Sequence, residues 1–471
     1  MAWMRDLALF GLVFCSSLVP TRASLDSHSH GDFLLPQVAE YGSRDLDVEH
    51  YAPGKRAHLE QREEKCDLSV DNQRKVAYYE SWASRRECNT FQPSDINASR
   101  WTHINIAFAV LDWVGKITPA SKEDEEIYNK AMALKDENED LQIWIAVGGK
   151  TMGSRRFSNM ASSRRSREKF IQSAKEFMDA HGFDGIDIDW EYPAATHMGG
   201  QRRDTENLTK LVKEMREAFG DKKGISVAVP AGHYLKGFDL KSMQSDLDMI
   251  NFMSYDLHGA WETPLLALPG TNLTEIEDAL QNLGDKGVSM KKVNLGLAYY
   301  GYAYILEDKS CSKPGCPAFA PIGTGPCGKT AGTLEVAEVQ HIIANNTIDP
   351  TLSPEAAIMH FTWDENNWAA YDNNETLQMK TAFARDNCLG GSFVWAVDMQ
   401  NPENELAPWA VKRKNPQESG GENGEESSPE ESSPEEPATK ANANAGSPSK
   451  MLSQGFMAGS FICIFFILSV I

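Results

Sequence analysis

Eight short, almost continuous apolar runs recur along the middle of the chain, and helical patterns separate them. Runs of this kind are typical of strands that are buried on both faces of a sheet. Helices are predicted between them, for example over residues 123–138, 166–182 and 205–220, where Gly182 and Gly220 follow the last apolar turn. The eight runs are KVAYYESWA from Lys75, HINIAFAVL from His103, IWIAVGG from Ile143, GIDIDWEYP from Gly185, ISVAVPAG from Ile225, MINFMSYDLHG from Met249, NLGLAYYGYAY from Asn294 and GSFVWAVDM from Gly391.

Eight strands that alternate with helices predict an α/β fold, a (β/α)8 TIM barrel, over residues 66–413. An open, doubly wound sheet is the alternative, but it would place a glycine-rich nucleotide loop after the first strand, and the sequence YYESWASRREC does not resemble one. About ninety residues separate the seventh run from the eighth, too many for a structureless loop. We therefore expect an inserted α+β subdomain over residues 304–378, on the rim where barrel enzymes build their clefts.

The first 65 residues fall outside this pattern. Residues 1–23 have a positive charge, Arg5, near their start, continue through the apolar run LALFGLVFCSSLV and end in small residues. This order predicts a secretory signal peptide cut after Ala23. A membrane anchor is the alternative, although the apolar core is short for a membrane span. Residues 24–65 are polar and without pattern, and they predict a flexible leader or a propeptide cut near Lys55-Arg56.

The last sixty residues predict a tether. Residues 414–444 are rich in Glu, Ser and Pro, as in a disordered, self-repelling stalk. Residues 445–471 combine small residues, a polar spacer and the apolar ending FMAGSFICIFFILSVI, which predicts a glycosylphosphatidylinositol (GPI) signal with attachment at Asn444. A plain tail anchor is the alternative. We expect a secreted protein that a lipid holds to the plasma membrane or cell wall.

Cysteines, sequons and charge agree with export. Outside the two ends that are predicted to be removed, the chain has six cysteines, an even number that suits an oxidising compartment: Cys66, Cys88, Cys311, Cys316, Cys327 and Cys388. We predict a Cys66–Cys388 bridge, because the first and last barrel strands are neighbours, and a bridge from Cys88 to Cys311, Cys316 or Cys327.

Five sequons predict N-glycosylation at Asn97, Asn207, Asn272, Asn345 and Asn374. The cysteine spacing does not match a zinc site, and the net charge of -21 argues against nucleic acid. We expect a monomer without metal or cofactor.

The fourth run, FDGIDIDWEYP, carries the candidate chemistry. Because strand side chains alternate, Asp187, Asp189 and Glu191 share one face, and Glu191 lies nearest the carboxyl end, where barrel enzymes react. A calcium loop would need Gly and an acid where Tyr192 and Met198 stand. A salt-bridged strand would need interleaved cations, and none is present. Stacked carboxylates that raise one another's pKa suit acid catalysis.

The chain resembles the family-18 glycoside hydrolases, the chitinase family, over about residues 73–410. FDGIDIDWEYP matches the signature D-G-x-D-x-D-W-E, NFMSYDLHG is similar to the sixth-strand M-x-Y-D motif, and GSFVWAVDM is similar to the eighth-strand tryptophan motif. YYESWASRREC and CSKPGCPAF…GPCGKTAGTL most resemble fungal chitinases of the killer-toxin-like subgroup. The resemblance implies hydrolysis of chitin or chitin oligosaccharides.

The resemblance also implies residue roles. Glu191 would be the proton donor, Asp189 and Tyr255 would hold the substrate's acetamido group, and Asp187 would share a proton with Asp189. The pocket would be completed by Trp395 as its apolar floor and by Asp256, Met253, Tyr300 and Tyr78. Trp261, Trp363 and Trp368 are weaker candidates for outer sugar sites.

Two departures from the family pattern stand out. Ala146 replaces a serine expected near Asp187, and Tyr302 replaces a substrate-binding arginine.

Some members of the family are lectins, which typically lack the acid at the position of Glu191. An enzyme acting on N-glycan cores by the same mechanism is a further alternative.

Overall fold

The computed structural model describes residues 73–325 and 327–409 of the 471-residue chain. The predicted signal peptide, leader, stalk and lipid signal, together with Cys66 and Asn444, lie outside these ranges. Within them, no helix combines the length and apolar character that a membrane span requires.

Strands and helices alternate through the described chain and are numbered here in chain order. The strands are β1 (Arg74–Glu80), β2 (His103–Leu111), β3 (Ile117–Pro119), β4 (Gln142–Gly148), β5 (Gly185–Asp189), β6 (Gly224–Pro230), β7 (Met249–Met253), β8 (Leu266–Ala267), β9 (Val293–Ala298), β10 (Tyr300–Leu306), β11 (Cys316–Pro321), β12 (Thr333–Glu335), β13 (Thr351–Ser353), β14 (Ile358–Trp363), β15 (Asn367–Tyr371) and β16 (Gly391–Trp395). The helices are α1 (Asp124–Met132), α2 (Arg155–Ala161), α3 (Arg164–His181), α4 (Asp204–Phe219), α5 (Leu240–Met243), α6 (Leu273–Asp285), α7 (Val336–Asn346) and α8 (Asn374–Asp386).

Local sequence signals explain where the helices begin and end. Helix α3 begins after Ser163, whose side chain accepts a hydrogen bond from the main-chain N–H of Ser166. It ends at His181 and is capped by Gly182, which has φ 81°, a left-handed conformation that glycine adopts without steric cost. The predicted helix over residues 123–138 is α1 followed by a 3-10 turn, Ala133–Asp136.

Eight parallel strands close into the predicted TIM barrel. Their order is β1-β16-β9-β7-β6-β5-β4-β2, and β2 pairs in turn with β1. Closure pairs the first strand with the last, in a register that sets Arg74 opposite Gly391 and Val76 opposite Phe393. The eight strands are those that the apolar runs predict. An open doubly wound sheet is thereby excluded, and the carboxyl ends of all eight strands meet at one mouth.

The inserted subdomain is a separate antiparallel sheet in the order β13-β14-β15-β10-β11-β8, with β12 paired to β10. Strands β10 to β15 and helix α7 lie between β9 and β16, whereas the short edge strand β8 comes from the segment after β7. Its limits differ from the predicted 304–378. The run NLGLAYYGYAY is two strands that divide at Tyr299, so the sheet begins at Tyr300. It ends at Tyr371, because residues 374–378 belong to α8, a helix that precedes the last barrel strand.

Two disulfides hold the insertion. Cys88, in the loop after β1, is bonded to Cys327 of the insertion, which confirms that its partner is one of the three cysteines predicted. Cys311 is bonded to Cys316, five residues away. Cys388 is also disulfide-bonded. The predicted Cys66–Cys388 pairing stays a prediction, because residue 66 lies outside the described ranges.

The five sequons divide into two groups. Asn97, Asn345 and Asn374 are exposed, as a glycan requires. Asn207 and Asn272 are buried, and the Asn272 side chain accepts the first main-chain hydrogen bond of α6. Glycosylation predicted at these two positions is therefore at odds with the fold, because a glycan would displace packed or capping atoms.

Candidate active site

The acidic stack lies at the end of strand β5. Asp187 and Asp189 share one face of the strand and are buried, and Glu191 follows at the barrel mouth, partly buried. Trp190 points to the other side, where its ring stacks on Phe157 of α2 with centroids 5.2 Å apart. The predicted division of this stretch into an acidic inner face and an apolar outer face is confirmed.

Two glycines at the end of β4 let the backbone and rings of the site come close. Gly148 has φ 121°, and a Cβ there would lie 2.1 Å from the main-chain oxygen of Asp189. Gly149 has φ 78°, and a Cβ there would lie 2.5 Å from the ring of Phe108. Only glycine satisfies both requirements, so this pair fixes how closely β4 approaches the acids.

Asp187 is the most heavily bonded of the acids. Its carboxylate accepts hydrogen bonds from the Tyr78 hydroxyl at 2.7 Å, the Ser226 hydroxyl at 2.5 Å and the Asn251 amide at 3.1 Å. Burial raises the pKa of Asp187, and these three donors oppose the rise because they stabilise the ionised form. The predicted contact with Tyr78 is confirmed.

Asp189 is less well satisfied. Its pKa is raised well above the usual value by burial, and the charges of Glu191 and Asp187 raise it further. One carboxyl oxygen, Oδ1, is buried and has no hydrogen-bond partner among the described residues. A buried polar atom without a partner is rare, and at this place it can accept a hydrogen bond from a ligand.

Glu191 is set up to hold a proton. Burial raises its pKa, as does the charge of Asp256, whereas a hydrogen bond from Tyr192 and the charge of Lys150 lower it. Because burial is the largest of these effects, the pKa of Glu191 lies above that of a free glutamate. A carboxyl group that stays protonated closer to neutral pH can act as a general acid.

The segment after β7 supplies the opposite wall. Tyr255 lies edge-on to the rings of Tyr300, at 6.1 Å, and Phe393, at 5.9 Å, and burial raises the pKa of its phenol, which keeps it a hydrogen-bond donor. Asp256, which has φ 54°, accepts hydrogen bonds from the hydroxyls of Tyr300 and Tyr302. Asp256, Tyr255 and Tyr300 thus converge as predicted.

Trp395 closes the base of the mouth at the end of β16. Its ring stacks on Phe108, with centroids 5.5 Å apart and planes at 24°, and contacts Tyr78 at 5.5 Å. Both Trp395 and Met253 are partly buried against the same cluster inside the barrel. A partly exposed aromatic ring beside the acids is suited to receive the C–H face of a sugar.

The two departures have structural counterparts. Ala146 brings no hydroxyl to Asp187, but Ser226 of the neighbouring strand β6 supplies one. Tyr302, in place of the expected arginine, donates to Asp256 at 2.9 Å. The first substitution leaves Asp187 with three donors, whereas the second removes a cation from the pocket.

Several residues of the site were missed by the sequence analysis. Ser226 and Asn251 stand alone as polar residues in apolar strands, a pattern that signals inward polar groups but not their partners. Lys150 and Tyr192, next to Glu191, gave no signal of their own. One weaker candidate was wrong: Trp368 is fully buried beside Tyr304 and cannot meet a sugar.

No group of three or more His, Cys, Asp or Glu side chains in the described part of the chain could hold a metal ion. The site's chemistry is that of carboxyl and hydroxyl groups. Asp184, outside the stack, accepts hydrogen bonds from Lys135 at 2.8 Å and from the main-chain N–H of Ile143 at 2.7 Å, so its role is structural.

The family described as glycosyl hydrolases family 18 matches residues 74–400. The chain belongs to this family. Chitotriosidase-1 of the mouse is 30% identical over 347 residues, which cover 69% of this chain and 73% of that relative. These similarities show the family and not a subgroup, so the resemblance to the killer-toxin-like chitinases stays a prediction.

Two solved structures of the family are similar to this chain. A group IV chitinase of Ostrinia furnacalis, in complex with allosamidin, has a TM-score of 0.65 and 27% identity, covering 69% of this chain and 92% of that one. Human YKL-39, described as a pseudo-chitinase with retained chitooligosaccharide binding properties, has a TM-score of 0.64 and 27% identity, with coverages of 69% and 93%. Family 18 therefore contains both cutting and binding members of this fold.

Proposed function

We propose that this family-18 protein is a chitinase that hydrolyses β-1,4 linkages between N-acetylglucosamine units. The observation that carries the proposal is the stack of Asp187, Asp189 and Glu191, in which Glu191 stands at the mouth with a raised pKa. The relatives described as chitinases support the substrate class.

Glu191 acts first as a general acid and protonates the glycosidic oxygen. No second carboxylate is needed as nucleophile, because the 2-acetamido oxygen of the bound sugar attacks its own anomeric carbon and forms an oxazolinium ion; this is the family's exception to ordinary retaining hydrolysis. Glu191, now ionised, then takes a proton from a water molecule. That water attacks the anomeric carbon and opens the oxazolinium ring, so the anomeric configuration is retained overall.

Asp189 and Tyr255 hold the acetamido group in the attacking position. The unpartnered Oδ1 of Asp189 accepts the acetamido N–H and stabilises the positive charge that develops there. The Tyr255 phenol donates to the acetamido oxygen, and this fixed geometry replaces a costly search for the reactive conformer. Asp187 shares a proton with Asp189, so that the pair carries one negative charge.

The remaining pocket residues position the sugar. Trp395 lies under it as the apolar floor. Asp256 and Tyr300 bond each other and present polar groups to its rim, with Met253 beside them. The antiparallel insertion forms one wall of a cleft, which favours a linear polymer over a branched N-glycan core.

A chitin-binding lectin is the second candidate, because YKL-39 is described as a pseudo-chitinase that binds chitooligosaccharides. The presence of Glu191, Asp189 and Tyr255 together favours the enzyme. A lectin would bind chitin oligomers without releasing products.

The decisive experiment measures turnover of chitin oligomers by the protein and by Glu191→Gln. The variant keeps the shape of the side chain but has no proton to give, so we expect it to bind oligomers and to lose roughly 10²–10⁴-fold or more in turnover. The first product should be the β-anomer, and fully deacetylated oligomers should not be cut. An α-anomer, or equal cleavage of deacetylated oligomers, would contradict the substrate-assisted mechanism. Binding of oligomers without turnover by the unaltered protein would identify a lectin. Turnover of high-mannose glycans in preference to chitin would identify an enzyme of N-glycan cores.

We also propose that the protein is secreted as a monomer, glycosylated, and tethered by a GPI anchor at Asn444 to the plasma membrane or cell wall. The sequence signals at residues 1–23 and 445–471 support this. Phosphatidylinositol-specific phospholipase C should release the protein from membranes. Retention on the membrane, with Ile471 present in the mature chain, would contradict the anchor.

A further inference from the structure

Lys150 stands directly across from the proposed proton donor. In the pairing of β4 with β5, Val147 lies opposite Ile188 and Gly148 opposite Asp189. The main-chain N–H of Gly149 continues this approach and donates to the Asp189 oxygen at 2.9 Å. One residue further on, the main-chain N–H of Lys150 hydrogen-bonds the Glu191 carboxyl, which sets Lys150 beside Glu191 at the barrel mouth.

The ammonium of Lys150 is free to act on a ligand. The residue is exposed, and no salt bridge within the described ranges joins it to a carboxylate. Its charge reaches Glu191, because Lys150 is the cation that lowers the pKa of that carboxyl. The other charged neighbours that affect Glu191 and Asp189 are acids, notably Asp256.

The side of the cleft follows from the chemistry. Glu191 delivers its proton to the glycosidic oxygen, which departs with the leaving sugar. The sugar that is attacked lies instead over Asp189, Tyr255 and Trp395, on the barrel axis. Lys150 is exposed beside the Glu191 carboxyl, whereas the groups under the attacked sugar are buried or partly buried, so we assign its cation to the side of the sugar that leaves.

We propose that Lys150 is a specificity-determining residue that selects an acetylated, uncharged sugar on the leaving-group side of the scissile bond. This inference rests on the proposed chitinase activity. Partly deacetylated chitin contains glucosamine, whose amine is a cation at acidic and neutral pH. The acetamido requirement of the mechanism excludes glucosamine only from the attacked position, so excluding it from the leaving position as well would take a second interaction. Repulsion between the ammonium groups of Lys150 and of glucosamine supplies this interaction.

The composition of the new chain ends tests this directly. The full chain is incubated with partly deacetylated chitosan, and the sugar at each new non-reducing end is identified by mass spectrometry. This ratio compares cleavage events of one enzyme, so a change in folding, in enzyme amount or in the pKa of Glu191 alone does not move it. The variants are Lys150→Met, Lys150→Arg, which keeps the charge, and Lys169→Met, which removes an exposed lysine from helix α3.

We expect Lys150→Met to raise the ratio of glucosamine to N-acetylglucosamine at new non-reducing ends by roughly two- to five-fold, the range for a single exposed charge pair. Lys150→Arg and Lys169→Met should match the unaltered protein. Added salt should shrink the difference, because exposed charges are screened. Unchanged ends in Lys150→Met overturn the inference while leaving the chitinase intact, whereas absence of any cleavage of chitin oligomers overturns both.

Discussion

Replacing Ser226 by alanine removes one of the three donors to Asp187 while leaving every proposed substrate contact in place. The Ser226 hydroxyl donates to Asp187 at 2.5 Å, and it lowers the pKa of a carboxyl that burial otherwise raises. Without this donor, the ionised form of Asp187 is less stable, so the pKa of Asp187 must rise. The proposed mechanism needs one negative charge on the Asp187–Asp189 pair, and the acidic limb of the kcat/KM profile reports the pair's first ionisation.

A hydrogen bond to a charged group contributes about 1.5–3 kcal/mol, and one pKa unit corresponds to about 1.4 kcal/mol. Loss of the Ser226 donor should therefore move the acidic limb to higher pH by about one to two units. The two donors that remain, Tyr78 and Asn251, keep the shift toward the lower end. The basic limb, set by Glu191, should stay where it is.

The assay is a kcat/KM profile on a soluble chitin oligomer for Ser226→Ala and for a matched control, Ser158→Ala. Ser158 is also a buried serine that donates to a buried aspartate, Asp204, at 2.8 Å, but this hydrogen bond joins α2 to α4 and does not involve the acidic stack. Both variants should lose stability, and Ser226→Ala alone should move the acidic limb. A uniform fall in rate without a shift, or an equal shift in the control, would refute the proposed proton sharing.

Two further outcomes test other parts of the structure. Lys380 donates to both oxygens of Asp372 at 2.6 Å, and both side chains are buried, so Lys380→Met should cost about 3–5 kcal/mol of unfolding free energy in urea denaturation. The exposed lysine variant Lys210→Met should cost only about 0.5 kcal/mol; similar losses would contradict the burial argument. Lys150→Met should move the basic limb of the kcat/KM profile to higher pH, because the pKa of Glu191 rises when the cation is removed; a limb that stays in place or moves to lower pH would count against it.

The barrel was predictable because its strands carry their signal locally. Each of the eight apolar runs is buried on both faces, and the two-residue period of Asp187 and Asp189 fixes which side chains point inward. The roles of these acids followed from a motif that is continuous in sequence. Nothing beyond the fourth run was needed to place them.

Contacts between distant strands were not predictable in the same way. Ser226 and Asn251 meet Asp187 only because β5, β6 and β7 adopt one register, which no single strand encodes. The inserted sheet begins four residues before its predicted start, because Tyr299 divides a run that is apolar throughout. Trp368 carries no mark in sequence that distinguishes a packed ring from an exposed one.

The pairing of β1 with β16 has a consequence for biosynthesis. Its register joins Arg74 to Gly391, so the ring of strands stays open until nearly the whole catalytic region has emerged from the ribosome. Until then, β1 and β9 each present an unpaired edge, a surface on which chains can associate. Joining ends so far apart in sequence is also slow compared with local pairing. A chain that stops before Gly391 would keep the acidic stack and still be unable to shield it, and association through the exposed edges would be its expected fate.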